Sequence, residues 1–215
     1  MNPNNVKTLV LNALSDTQLG QITLQLCDQR SEASWHRAGC PVPPPNIVKR
    51  KFIVRCAREA RVRNFVETGT YHGDTVRYVL DDFERIFSIE LSEHLAALAR
   101  RRFSAHKHVS ILLGDSGELI HEVLRNLSGP ALFWLDGHYS EGETARGIQD
   151  TPILRELDAI FGDLPKANHL ILVDDARLFG TDPAYPSLEL VQRLASDAGY
   201  QSFELKHDII HLSKS

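Results

Sequence analysis

A chain of 215 residues suits one domain with a sizeable core, with room for an N-terminal appendage. Its net charge of -4 gives no electrostatic reason to expect nucleic acid as a partner, and the basic run Lys49-Arg50-Lys51 with Arg55, Arg58, Arg61 and Arg63 reads as a solvated helix face. Apolar content of 42% and charged content of 24% are ordinary for a soluble enzyme; no apolar run approaches a membrane span, and the polar start Met1–Val6 is unlike a signal peptide. A cytoplasmic protein with no membrane partner is therefore expected. Cys27, Cys40 and Cys56 are odd in number and widely spaced, which reads as reduced thiols or small core residues.

Residues 1–40 are polar and weakly periodic, with Val10, Leu11, Leu14 and Leu19 offering a short helix or an arm through which two copies of the chain can associate. Pro41-Val42-Pro43-Pro44-Pro45 predicts a stiff extended connector, since each proline fixes its own φ and restrains its predecessor. A helix follows over 46–60, carrying Ile47, Phe52, Ile53 and Cys56, so that residues 41–60 form a connector and helix ahead of a domain over 61–215.

In that domain strands are predicted over 64–67, 85–90, 109–114, 131–136 and 169–174. Each is a short apolar run ending in or near an acid or a glycine, as in strands covered on both faces. Between them lie amphipathic helices with the stripes Leu95, Leu98, Ala99, Phe103; Ile120, Val123, Leu124, Leu127; and Ile153, Leu157, Ile160, Phe161. Thr151 and Pro152 mark the start of the last of these. Five such units predict a doubly wound, mostly parallel α/β sheet with ligands at the carboxyl ends of its strands. The end departs from the pattern. After a helix carrying Leu188, Val191, Leu194 and Ala195, strands over 202–205 and 208–212 are separated only by Lys206 and His207, which forces an antiparallel hairpin.

The richest stretch is Phe65-Val66-Glu67-Thr68-Gly69-Thr70-Tyr71-His72-Gly73-Asp74-Thr75. An apolar run ends in an acid, then turns on two glycines into a helix start. Glu67 can accept hydrogen bonds from a ligand, and Gly69 and Gly73 clear side chains where a ligand lies against the backbone. Glu90 closes the next apolar run about twenty residues on, the spacing at which an acid receives the paired hydroxyls of a ribose. A nucleoside-containing cofactor is expected. Glu90 alone would serve a nicotinamide dinucleotide equally well, but Gly-x-Gly-x-x-Gly is absent.

Acid-x-Gly-x-x-x-Gly, Glu90 and the terminal hairpin together resemble the class I S-adenosylmethionine (SAM) methyltransferases, a Rossmann-like fold on a seven-stranded sheet. The glycine run is thinner here, with Thr70, Tyr71 and His72 between the two glycines. The resemblance implies that Glu67, Gly69, Thr70, Tyr71, Gly73 and Thr75 line the first cofactor loop and that Glu90 holds the ribose. It also implies that Asp115 and Ser116 meet the adenine amine, with Asp136 completing the cofactor site. Trp134-Leu135-Asp136-Gly137-His138-Tyr139 and Leu172-Val173-Asp174-Asp175 end neighbouring strands, about 4.8 Å apart. These acids resemble those of the metal-dependent macrocin O-methyltransferase-like group. By that resemblance Asp136, Asp174 and Asp175 hold magnesium or a similar divalent ion, and His138, with Asp136, takes the proton of a hydroxyl on a small sugar-like or natural-product substrate. Two other readings stand beside it: a nicotinamide-dependent oxidoreductase, and a non-catalytic SAM-fold binding or scaffold protein.

Overall fold

The computed structural model describes residues 18–136, 151–163 and 167–214. The chain divides into two compact units, residues 1–49 and 50–215.

In the first unit, helix α1 (Gln18–Arg37) runs for 20 residues where the sequence pattern offered a short helix or an arm. It carries no apolar stripe: Ile22 and Leu26, one turn apart, are 49% and 48% exposed. Many of its residues, Leu24, Gln25 and Arg30 among them, are nonetheless good helix formers, and its end is well defined. Gly39 (φ 80°) and Cys40 (φ 60°) are left-handed; Gly39 N–H donates to the His36 carbonyl at 3.1 Å and Cys40 N–H to that of Trp35 at 3.0 Å, the paired bonds of a Schellman stop. The Trp35 indole N–H then reaches the Pro41 carbonyl at 2.7 Å. The Val42–Pro43 bond is cis. Val10, Leu11 and Leu14 lie outside the described residues. Helix α2 (Asn46–Glu59) crosses the division.

The second unit carries β1 (Asn64–Thr68), α3 (Asp74–Val79), β2 (Arg85–Glu90), α4 (Glu93–Arg102), β3 (Val109–Leu113), α5 (Ser116–Asn126), β4 (Ala131–Leu135), α6 (Ile153–Asp163), β5 (Leu170–Val173), α7 (Leu188–Asp197), β6 (Ser202–Lys206) and β7 (Ile209–Ser213). They form a seven-stranded sheet of order β3-β2-β1-β4-β5-β7-β6, parallel from β3 through β5. β7 runs antiparallel between β5 and β6, closing the predicted hairpin through a turn in which His207 (φ 55°) and Asp208 (φ 61°) are both left-handed.

The apolar runs are explained by burial on both faces. Val66, Phe133 and Ile171 pack with Ile120, Leu157 and Ile160 on one side. Their chain neighbours Phe65, Leu132 and Leu172 pack with Val76, Ala96 and Ile209 on the other. The stripe predicted for α4 shifts slightly, because Ala96 is buried while Leu98 is exposed. Strands β3, β4 and β5 stop before Gly114, Asp136 and Asp174, leaving those residues in the loops at the carboxyl edge.

At the opposite edge, His169 is buried among polar partners. Its Nδ1 accepts the Ala131 N–H at 3.2 Å, so Nε2 carries the proton toward Asp163 Oδ2, also at 3.2 Å. Tyr200 donates its hydroxyl to the His169 carbonyl at 3.1 Å.

Candidate functional site

Glu67 sits one residue before the end of β1, opposite Ser88 of β2 and Trp134 of β4. It is 2% exposed, and burial pushes its carboxyl up to about 8. Ser88 donates to Glu67 Oε2 at 2.6 Å, which leaves the Thr70 hydroxyl to donate to Ser88 Oγ, also at 2.6 Å. Glu67 thus lies beneath the loop and braces it from below. The loop turns through Gly69 (φ 84°), Tyr71 (φ 49°) and Gly73 (φ 74°), pinned by Gly69 N–H to the Ile89 carbonyl at 2.9 Å. Gly73 answers a need within the protein: a Cβ there would lie 2.7 Å from the Phe103 ring. Thr75, in the first turn of α3, is partly exposed.

Glu90 ends β2 with its carboxylate fixed on both sides. Oε2 accepts Tyr71 N–H at 2.7 Å and Oε1 accepts Ser92 N–H at 2.9 Å. Each oxygen keeps a second lone pair for another donor. Asp115 caps α5, accepting Gly117 N–H at 2.8 Å, and both its oxygens lie 3.0 Å from the Arg155 guanidinium. The hydroxyl of Ser116 turns inward to Glu156.

Across the sheet, Leu135 and Val173 are register partners, so Asp136 and Asp174 leave adjacent strand ends side by side. Asp136 N–H reaches the Thr68 hydroxyl at 3.2 Å, and Asp174 N–H the Leu135 carbonyl at 3.0 Å. Asp175 is placed differently from the expected metal ligand. Its backbone is left-handed (φ 54°) and its Oδ1 accepts from Arg177 at 2.7 Å. Arg177 also pairs with Asp208, whose Oδ1 takes the Arg177 backbone N–H at 2.9 Å. Among the described residues no three acid, imidazole or thiol side chains come close enough to share a metal ion. Asp136, Asp174 and Asp175 therefore do not fit as a three-acid set, because a guanidinium already serves Asp175. His138 lies outside the described residues.

Sequence reasoning missed Glu156. It lies on α6 among Ile153, Leu157 and Ile160, a carboxyl on the buried side of an amphipathic helix, and that placement was the available signal. It is 1% exposed and takes hydrogen bonds from the hydroxyls of Ser116 and Thr68. Burial lifts its carboxyl to about 7 against the pull of those two donors. With Asp136, Asp174, Phe179 and Tyr185 it lines a half-open cleft at the ends of β4 and β5. Burial, and then Asp175, Asp136, Asp182 and Asp174, push the Tyr185 phenol well above its usual value, a sign of the negative field there.

No protein-family model matches this chain, and no curated protein matches it in sequence. Solved structures do match. The O-methyltransferase TomG from Streptomyces achromogenes, involved in tomaymycin synthesis and solved with SAM, is similar at a TM-score of 0.55 and 16% identity over 87% of this chain and 89% of that one. The fold is that of the SAM-dependent methyltransferases. An O-methyltransferase from Bacillus cereus, in complex with S-adenosylhomocysteine, matches at TM-score 0.55 and 15% identity over 96% of this chain and 97% of its own. The N-methyltransferase NodS from Bradyrhizobium japonicum WM9 matches at 0.53 and 13%, over 77% and 94%. At these identities the likeness is one of fold, and it spans acceptors of different chemistry.

Proposed function

We propose that this protein is a SAM-dependent methyltransferase acting on a hydroxyl of a small polar molecule. The observation that carries the reading is Glu90: a carboxylate at the tip of β2, held by two backbone N–H groups beside the left-handed Gly69–Gly73 loop. A carboxylate so fixed has its remaining lone pairs aligned for two vicinal hydroxyls, as a ribose presents them. The antiparallel β7 sets the sheet apart from the all-parallel order of the nicotinamide dehydrogenases, which weighs against that alternative.

In this reading Glu90 holds the ribose, the Gly69–Gly73 loop lies along the amino-acid end, and Asp115 borders the adenine. SAM supplies an already activated methyl group. The protein has only to align an acceptor oxygen with it and remove the proton. The sulfur–methyl bond breaks as the oxygen–methyl bond forms, giving S-adenosylhomocysteine, the methyl ether and a proton. Asp136, partly buried at the end of β4, is the residue assigned here to receive that proton. Metal assistance, the finer form of the proposal, rests on Asp136 and Asp174 without Asp175. Once an acceptor is known, activity that survives excess chelator removes it.

Calorimetry with S-adenosylhomocysteine and with NAD tests the cofactor. Binding of the first and not the second is expected; the reverse result overturns the proposal.

A further inference from the structure

The cleft at the ends of β4 and β5 brings together Asp136, Asp174 and Glu156 with the rings of Phe179 and Tyr185. A group of acids is common at such an edge and would carry little by itself. The independent observation is Glu156. The hydroxyls of Ser116 and Thr68 serve its carboxyl, yet Oε1 is buried and has no hydrogen-bond partner among the described residues. A buried acceptor left bare is costly, and in native proteins such atoms usually meet a bound donor. The base of the cleft has room for about one water-sized group.

We propose that the base of this cleft takes the protonated amine of a small organic molecule, with Glu156 as its anchoring residue. An ammonium is water-sized, carries three donors and no acceptor, and suits an environment of carboxylates. Its organic body then lies along the cleft, which Phe179 and Tyr185 also line, their ring centroids 5.2 Å apart. A divalent ion needs several oxygens at about 2.0–2.6 Å, and no three acid, imidazole or thiol side chains among the described residues converge that closely. The inference rests on the methyltransferase reading in one respect, that the amine's bearer is the methyl acceptor.

The test compares two probes of one ring, trans-2-aminocyclohexanol and trans-cyclohexane-1,2-diol, titrated into the protein saturated with S-adenosylhomocysteine. At about pH 8 Glu156 is ionised and the amine remains charged. The amine should bind about tenfold or more tightly than the diol, the scale of one charge-assisted hydrogen bond. Glu156→Gln keeps an oxygen for Ser116 and Thr68 but presents an NH2 in place of Oε1. It should abolish the preference while leaving thermal stability and S-adenosylhomocysteine affinity close to those of the parent. Equal binding of the two probes, or none, means that the base holds only water and overturns the proposal. A preference untouched by Glu156→Gln overturns it as well, as does displacement of the amine by millimolar magnesium with no loss in Glu156→Gln. Failure of S-adenosylhomocysteine to bind at all sinks the methyltransferase reading instead, and the amine comparison in the unliganded protein then still judges the cleft.

Discussion

The two halves of the carboxyl edge are finished to different degrees. Around β1, β2 and β3 the charged groups are anchored by the protein itself: Glu90 by two N–H groups, Asp115 by a cap and Arg155, Glu67 by Ser88. Around β4 and β5 three carboxyls line an open cleft, and one of their oxygens is bare among the described residues. A half that prearranges its own groups can hold one fixed cofactor. In the proposed reading the second half, with its one bare oxygen at Glu156, is the half that meets the acceptor.

The strongest blow to the first half is Gly73→Ala. Its methyl would press on Phe103 at a φ of 74°, and a cost of about 2–4 kcal/mol in urea unfolding is expected. If the contact is the cause, Phe103→Leu in the same chain returns part of that loss; strict additivity of the two would refute it. Glu90→Ala should weaken S-adenosylhomocysteine binding by about 1.5–3 kcal/mol while the chain stays folded. Unchanged affinity by calorimetry would remove Glu90 from the cofactor site.

In the second half, Arg177→Met strips the cation from Asp175 and from Asp208, whose side chain is 2% exposed. Because Arg177 itself is about a third exposed, the expected loss is about 1–2 kcal/mol, and a melting temperature equal to the parent's would show the pairs to be idle.

The smallest effects are pH slopes of opposite sign. Glu67 has its carboxyl raised by burial from 4.5 to about 8, so the folded protein holds this proton more tightly than the unfolded chain. Its contribution is complete below about 4.5 and is lost as pH rises through about 8; Glu67→Gln should flatten that decline in urea melts. His169 has its imidazole lowered by burial below 6.5, and Nδ1 must stay an acceptor for Ala131 N–H. Its contribution is present above 6.5 and is lost as pH falls through the lower folded value. A slope that survives His169→Gln would assign it to other groups.

The strands were legible because burial on both faces makes the runs at Phe65, Leu132 and Ile171 continuously apolar, and the hairpin because two residues can only reverse the chain. The end of β2 at Glu90 was legible as the close of an apolar run. Helix α1 was legible only as one of two options and not in its length, since no apolar stripe marks it. The partners of acids were not legible either. Nothing local ties Arg155 to Asp115, 40 residues away, or Arg177 to Asp208, 31 residues on; only the sheet order brings them together. Glu156 could have been found as a charge inside the α6 stripe.

β7 has a consequence for how the sheet is made. It is the last strand in chain order, yet it sits inside the sheet, between β5 and β6. During synthesis β1 through β5 can assemble as they emerge, but β5 then faces solvent with an unpaired edge of Leu170, Ile171, Leu172 and Val173 until the hairpin arrives. That interval is when a nascent chain is most open to pairing with another, and it ends when β7 pairs with β5, the Arg177–Asp208 contact joining the β5 loop to the hairpin turn.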